Sequence, residues 1–100
     1  MVGKENPVYL KPITNLGLLY YNLGQYNRAE PFILEGKVIR EKIFGKEHIE
    51  YVSSITFLAN LYMAIGKYDK AEMFFLEAKT IFEKLLGPEH PDYARYSLGN

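Results

Sequence analysis

Apolar residues recur at intervals of three and four along most of the chain, the spacing of one face of an α-helix. Between residues 55 and 65 this stripe consists of Ile55, Leu58, Ala59, Leu61, Tyr62 and Ile65. Between residues 71 and 85 it consists of Ala71, Phe74, Phe75, Ala78, Ile81, Phe82 and Leu85. Gly66 lies between the two stripes and suits the left-handed conformation that ends many helices. The pattern therefore predicts two amphipathic helices joined by a short turn.

The same pattern occurs earlier in the chain. Residues 13–54 align with residues 55–96 without a gap and are identical at 20 of 42 positions, Tyr20/Tyr62 and Gly24/Gly66 among them. Self-similarity at a fixed period is typical of stacked helical units, each unable to bury its apolar face alone. We therefore predict an all-α fold in a single domain, 1–100. It has one unit at about 6–47, a second at about 48–89 and the start of a third at about 90–100.

Polar residues and prolines suggest where the helices begin. Asn27 and Asp69 have the side chains of N-caps, and each is followed three positions later by a glutamate that completes a capping box. Pro31 then falls in the first turn, where a missing N–H is tolerated. Pro12 predicts that the first helix starts late or irregularly.

The amino-acid composition of the chain excludes several classes of function. The 100 residues are 48% hydrophobic and 15% aromatic, enough for a packed core, and 12 basic side chains balance 12 acidic ones. With no net charge, the chain has no field that would attract nucleic acid. The absence of cysteine excludes disulfides, thiolate metal sites and thiol nucleophiles. We expect a cytoplasmic protein that binds no nucleic acid, membrane, metal or cofactor.

The positions of small and aromatic residues in each unit resemble those of the tetratricopeptide repeat. They are Leu16, Gly17, Tyr20, Gly24, Tyr26 and Ala29, and again Leu58, Ala59, Tyr62, Gly66, Tyr68 and Ala71. The 42-residue period and the closing phrases REKIFGKEH and FEKLLGPEHPDYA are similar to the kinesin-light-chain type. The resemblance implies a right-handed superhelical solenoid of antiparallel helix pairs. The small residues Gly17, Ala29, Gly36, Ala59, Ala71 and Ala78 are expected where helices approach most closely.

The resemblance also implies a function, because the first helix of each unit lines a concave groove in this family. The groove positions are Lys11, Thr14, Asn15, Leu18, Tyr21 and Asn22 in the first unit, Ser53, Thr56, Asn60, Met63 and Ala64 in the second, and Arg95 in the third. Amide side chains there could bond an extended peptide, and apolar ones could hold its side chains. The expected function is a non-catalytic scaffold that binds a peptide or partner protein. Chaperone-binding members of the family hold a terminal carboxylate in a clamp of lysine, arginine and asparagine. This clamp is not expected here, because Asn60 is the only residue of this chain that matches it.

The sequence also suggests two other interpretations. The chain could be a structural segment that stacks end to end or self-associates through exposed repeat ends. His48 and His90, each after a glutamate, could suggest a metal site. Equivalent residues of adjacent units lie on the order of 10 Å apart, which is too far for one ion. We therefore expect each histidine to bond the first amides of the following helix.

Overall fold

The computed structural model describes residues 7–87, and all regular structure within that range is helical. A 3-10 turn at Pro7–Tyr9 leads into four α-helices: α1, Leu10–Asn22; α2, Tyr26–Phe44; α3, Ile49–Ala64; and α4, Tyr68–Leu86. Helix α2 packs against both α1 and α3, and α3 packs against α4. The protein is an all-α solenoid in which α1 and α2 form one antiparallel pair and α3 and α4 form the next.

Glycine ends the first helix of each pair, as the sequence predicts. Gly24 and Gly66 have φ of 77° and 83°, a left-handed conformation that glycine adopts without steric cost. The amide N–H of Gln25 donates to the carbonyl of Tyr20, and that of Lys67 donates to Tyr62, each at 2.8 Å. With the amides of the two glycines, these bonds form a Schellman motif at both turns.

The predicted N-caps of α2 and α4 are wrong. These helices begin at Tyr26 and Tyr68, so the N-cap residues are Gln25 and Lys67, and neither makes a side-chain capping bond. The reason is the Schellman turn, which brings the chain into the next helix immediately after the glycine. Asp69 therefore lies inside the first turn, where its charge complements the helix dipole.

The two prolines differ in their effect. Pro12 is the third residue of α1, where backbone N–H groups have no partner within the helix. The 3-10 turn before it gives the irregular start that the sequence predicts. Because α2 begins at Tyr26, Pro31 is in the second turn of that helix rather than in its first. The helix continues through Pro31 at the cost of one backbone hydrogen bond.

Small side chains lie where helices approach most closely at five of the six predicted positions. Gly36 is the exception, because a Cβ atom added there would meet only Nη1 of Arg40 on the same helix, at 3.0 Å. Ala29, Ala59, Ala71 and Ala78 are fully buried. A Cβ atom added to Gly17 would lie 3.2 Å from Cγ1 of Ile33, so α1 and α2 meet there nearly at backbone contact. The apolar core around these residues includes Ile33, Leu58, Leu61 and Tyr62.

The interface between the two helix pairs also contains buried polar contacts. The Tyr62 hydroxyl donates a hydrogen bond of 2.7 Å to Oε2 of Glu30, across from α3 to α2. Burial, together with this bond and the charge of Glu30, raises the pKa of Tyr62 to about 12. Within the second pair, the Tyr51 hydroxyl on α3 donates to Glu77 on α4 at 3.1 Å, and burial likewise raises the pKa of Tyr51 above its usual value.

The raised pKa of Tyr62 predicts how the stability of the fold changes at high pH. A tyrosine in the unfolded chain loses its proton near pH 10, whereas folded Tyr62 keeps it up to about pH 12. Its contribution to stability is therefore complete below pH 10 and is lost as the pH rises towards 12. Urea titrations across this window should show a shallower fall in the free energy of unfolding for Tyr62→Phe than for wild type. An equally steep fall in both proteins would mean that the pKa of Tyr62 is not raised by folding, which would contradict the prediction.

The predicted unit limits, including the border between residues 47 and 48, stay a prediction. The expected start of a third unit, residues 90–100, lies outside the described residues, as does His90. Within residues 7–87, no helix is both long enough and apolar enough to cross a membrane.

Candidate peptide-binding face

Eight of the predicted groove residues, Ala64 and seven larger ones, are exposed on the first helix of each pair. The seven larger ones are Lys11, Asn15, Leu18 and Asn22 on α1, and Ser53, Asn60 and Met63 on α3. Intervals of three, four and seven residues place each set on one side of its helix. We call these seven residues the groove face. Ala64 is exposed beside them, and Arg95 lies outside the described residues.

The remaining predicted groove residues, Thr14, Tyr21 and Thr56, are half-buried. The hydroxyl of Thr14 donates to the carbonyl of Leu10 at 2.7 Å and accepts a bond from Arg40. Tyr21 packs edge-on against the rings of Tyr26 and Phe57, with centroid distances of 5.4 and 5.3 Å. Tyr21 therefore links α1 to both α2 and α3, and its removal would affect packing as well as the surface.

Sequence reasoning missed Arg40, the residue that joins three helices. Its guanidinium group donates to Oγ1 of Thr14 on α1 at 3.1 Å, and to Oε1 of Glu50 and Oγ of Ser54 on α3 at 3.3 and 3.2 Å. The side chain is only 15% exposed, so these contacts are partly shielded from water. Charge-assisted hydrogen bonds of this kind fix geometry as well as adding stability. One signal was available in the sequence, because Arg40 interrupts an apolar stripe and aligns with Phe82 one period later.

Arg40 also borders a shallow cleft on α1. The cleft has a volume of about 310 Å³ and is lined by Leu10, Lys11, Thr14, Asn15 and Arg40. It combines two positive side chains, an amide, a hydroxyl and an apolar wall. Such a mixture suits a segment of polypeptide better than a purely apolar ligand.

A second space lies between α1, α2 and α3 beside Gly17, Gly36 and Phe57, and its volume is about 10 Å³. That volume accommodates about one water molecule. It is a packing gap next to two glycines, too small to bind a ligand.

His48 has the structural role that the sequence predicts. It is the N-cap of α3, and its Nδ1 accepts a 3.0 Å hydrogen bond from the backbone N–H of Glu50. Its ring stacks on Phe44 at a centroid distance of 4.5 Å. Across residues 7–87, histidine, aspartate and glutamate side chains form no group of three that could hold a metal ion.

The helix pairs, their glycine turns and the buried small residues define a helical-repeat protein. Comparison with protein families gives the same class, since one tetratricopeptide repeat model matches residues 13–50 and a second matches residues 51–99. The chain belongs to the tetratricopeptide repeat family and is of the kinesin-light-chain-like type. No curated protein matches the sequence. Members of this family generally act as protein–protein interaction modules.

Proposed function

We propose that this protein is a non-catalytic scaffold that binds a peptide, or a segment of a partner protein, along the groove face. The observation that carries the proposal is the composition of that face. Two large apolar side chains, Leu18 and Met63, are 46% and 47% exposed on it, among exposed amides and hydroxyls. An extended peptide requires this combination of apolar contacts and hydrogen-bonding groups.

Each kind of side chain has a separate task in this proposal. Asn15 and Asn60 offer both a donor and an acceptor to a peptide backbone. Leu18 and the flexible side chain of Met63 contact apolar side chains of the ligand. Thr14, Tyr21 and Thr56 form the floor between them, and Arg95 is proposed to extend the face.

Arg40 supports the face without belonging to it. By bonding to Thr14 and Ser54, its guanidinium group holds α1 and α3 at a fixed separation. The ring contact between Tyr21 and Phe57 also fixes the separation of α1 and α3, further along α1. A face that is already ordered loses less conformational entropy when a ligand binds. The cytoplasmic location expected from the sequence remains a prediction.

Binding peptides can be selected from a displayed random library on the immobilised chain and then tested against two double variants. Leu18→Ala/Asn60→Ala should raise Kd at least about tenfold, because it removes an apolar contact and an amide from the face. Met73→Ala/Leu76→Ala on α4 is the matched control, since these side chains are 55% and 56% exposed outside the groove face.

Both double variants should keep a melting temperature close to that of wild type, because all four side chains are exposed. If the groove variant binds as wild type does while the α4 variant loses binding, the ligand site is on α4 and the proposal is wrong.

A further inference from the structure

We propose that the shallow cleft lined by Lys11 and Arg40 binds a carboxylate side chain of the ligand, so that the groove face selects peptides containing aspartate or glutamate. This proposal rests on the proposed function and adds the chemical class of the ligand to it. The contacts that carry it are made among α1, α2 and α3, and all of them join described residues.

The first helices of the two pairs contain very little charge. Lys11 is the one charged residue among the 13 of α1, and Glu50 is the one charged residue among the 16 of α3. Arg40 on α2 reaches both helices, and its Nε lies 3.3 Å from Oε1 of Glu50. Arg40 therefore balances the charge of Glu50, and the positive charge of Lys11 has no acidic counterpart on α1 or α3.

The cleft brings the positive charges together. Its lining contains both Lys11 and Arg40 and no acidic side chain. Lys11 is exposed, whereas the Arg40 side chain is only 15% exposed and lies further in. A carboxylate in the cleft would therefore meet a flexible ammonium group at the rim and a guanidinium group below it.

The guanidinium group of Arg40 is held in place on several sides. It donates hydrogen bonds to Thr14, Glu50 and Ser54. Its Nη1 lies so close to Gly36 that a Cβ atom added to this glycine would be 3.0 Å away. Gly36 thus leaves the space that the group occupies. A donor whose orientation is already fixed loses little conformational entropy when a ligand binds.

Arg40 also keeps hydrogen-bonding capacity for a ligand. A guanidinium group has five N–H groups, and the three contacts of Arg40 use one on each nitrogen. The second N–H groups of Nη1 and Nη2 take no part in these contacts. A carboxylate accepts such groups in charge-assisted hydrogen bonds, which are stronger than those between neutral partners.

The other polar residues of the cleft have different roles. Asn15 is exposed, and its amide can donate to the same carboxylate. The Thr14 hydroxyl already donates to the carbonyl of Leu10 at 2.7 Å, so Thr14 orients Arg40 instead of donating to the ligand. A basic side chain in the cleft would be repelled by Lys11 and Arg40, which makes the site selective for an acidic one.

The experiment compares two random peptide libraries on the immobilised 100-residue chain. One library contains aspartate and glutamate, and in the other asparagine and glutamine replace them. Both are displayed through the peptide's C-terminus, so every ligand carboxylate is a side chain. The tightest binders should come from the first library. In an amidated synthetic copy, replacing the acidic residue by its amide should raise Kd at least about tenfold.

Lys11→Glu tests whether the cleft holds that acidic residue. The variant should raise Kd for the acidic peptide at least about tenfold, because two negative charges then face each other. A peptide with lysine in place of the acidic residue should bind Lys11→Glu more tightly than it binds wild type.

Lys67→Glu is the matched control, because it makes the same change of charge at an exposed residue next to α4. It should bind the acidic peptide as wild type does, and circular dichroism should show both variants folded.

The proposal is overturned if the library without acidic residues yields equally tight binders, or if Lys11→Glu weakens binding no more than Lys67→Glu does. In either case, a loss of binding in Leu18→Ala/Asn60→Ala would still support the proposed function. A chain that selects no peptide from either library would overturn both proposals.

Discussion

Replacing Leu58 with alanine should lower the free energy of unfolding by about 2–5 kcal/mol. Leu58 is completely buried in the cluster that joins α3 to α2 and α4, where it lies with Ile33, Leu61 and Ala71. Truncation removes its transfer free energy and leaves a cavity, because helices held from both sides cannot close the gap fully. Urea-induced unfolding followed by circular dichroism measures the loss.

The repeat provides the control for this experiment. Leu16 is the same residue type at the same position one period earlier, yet it is 38% exposed on α1. Leu16→Ala should lower the free energy of unfolding by less than about 1 kcal/mol. Equal losses at the two positions would mean that Leu16 is packed as Leu58 is, which would contradict the exposure of Leu16.

Enlarging Ala71 to leucine should destabilise the protein by about 1–3 kcal/mol through overpacking. Ala71 has no exposed surface and lies where α4 meets α3, in contact with the cluster of Leu58 and Tyr62. A larger side chain must separate the helices or force its neighbours out of their preferred rotamers.

Met73→Leu is the control on the same helix, because Met73 is 55% exposed. It should leave the free energy of unfolding within about 0.5 kcal/mol of wild type. If Ala71→Leu were equally neutral in urea unfolding, Ala71 would not be a point of close helix approach.

Much of the fold follows from local and periodic features of the sequence. The glycine turns after α1 and α3 were predictable, because the apolar stripes stop there and only glycine adopts the required φ without strain. The burial of Ala29 and Ala71 follows from the same stripes. The N-caps were not predictable in this way, because the Schellman turn leaves no residue between Gly24 and the N-cap of α2. Asn27 and Asp69 have capping side chains but come two residues too late.

The candidate site shows what a periodic pattern leaves out. The pattern gives Tyr21 and Leu18 the same status, but only Leu18 is well exposed. Tyr21 is half-buried because Phe57 stands at the position where α1 has Asn15, and the two rings meet between the helices. Arg40 was missed because its three partners are 10, 14 and 26 residues away in the sequence. Such contacts depend on how the helix pairs stack on each other. The periodicity of a single helix gives no information about that stacking.

The most direct test of the central claim, that the groove face binds the ligand, is an NMR titration of protein labelled at its methionine methyl groups. The chain has three methionines: Met63 on the groove face, Met73 on α4 and Met1. The two helical ones are about equally exposed, at 47% and 55%, so each reports on its own surface. With a library-selected peptide, we predict that the Met63 signal shifts progressively while the Met73 signal stays in place. A shift at Met73 with none at Met63 would contradict the account.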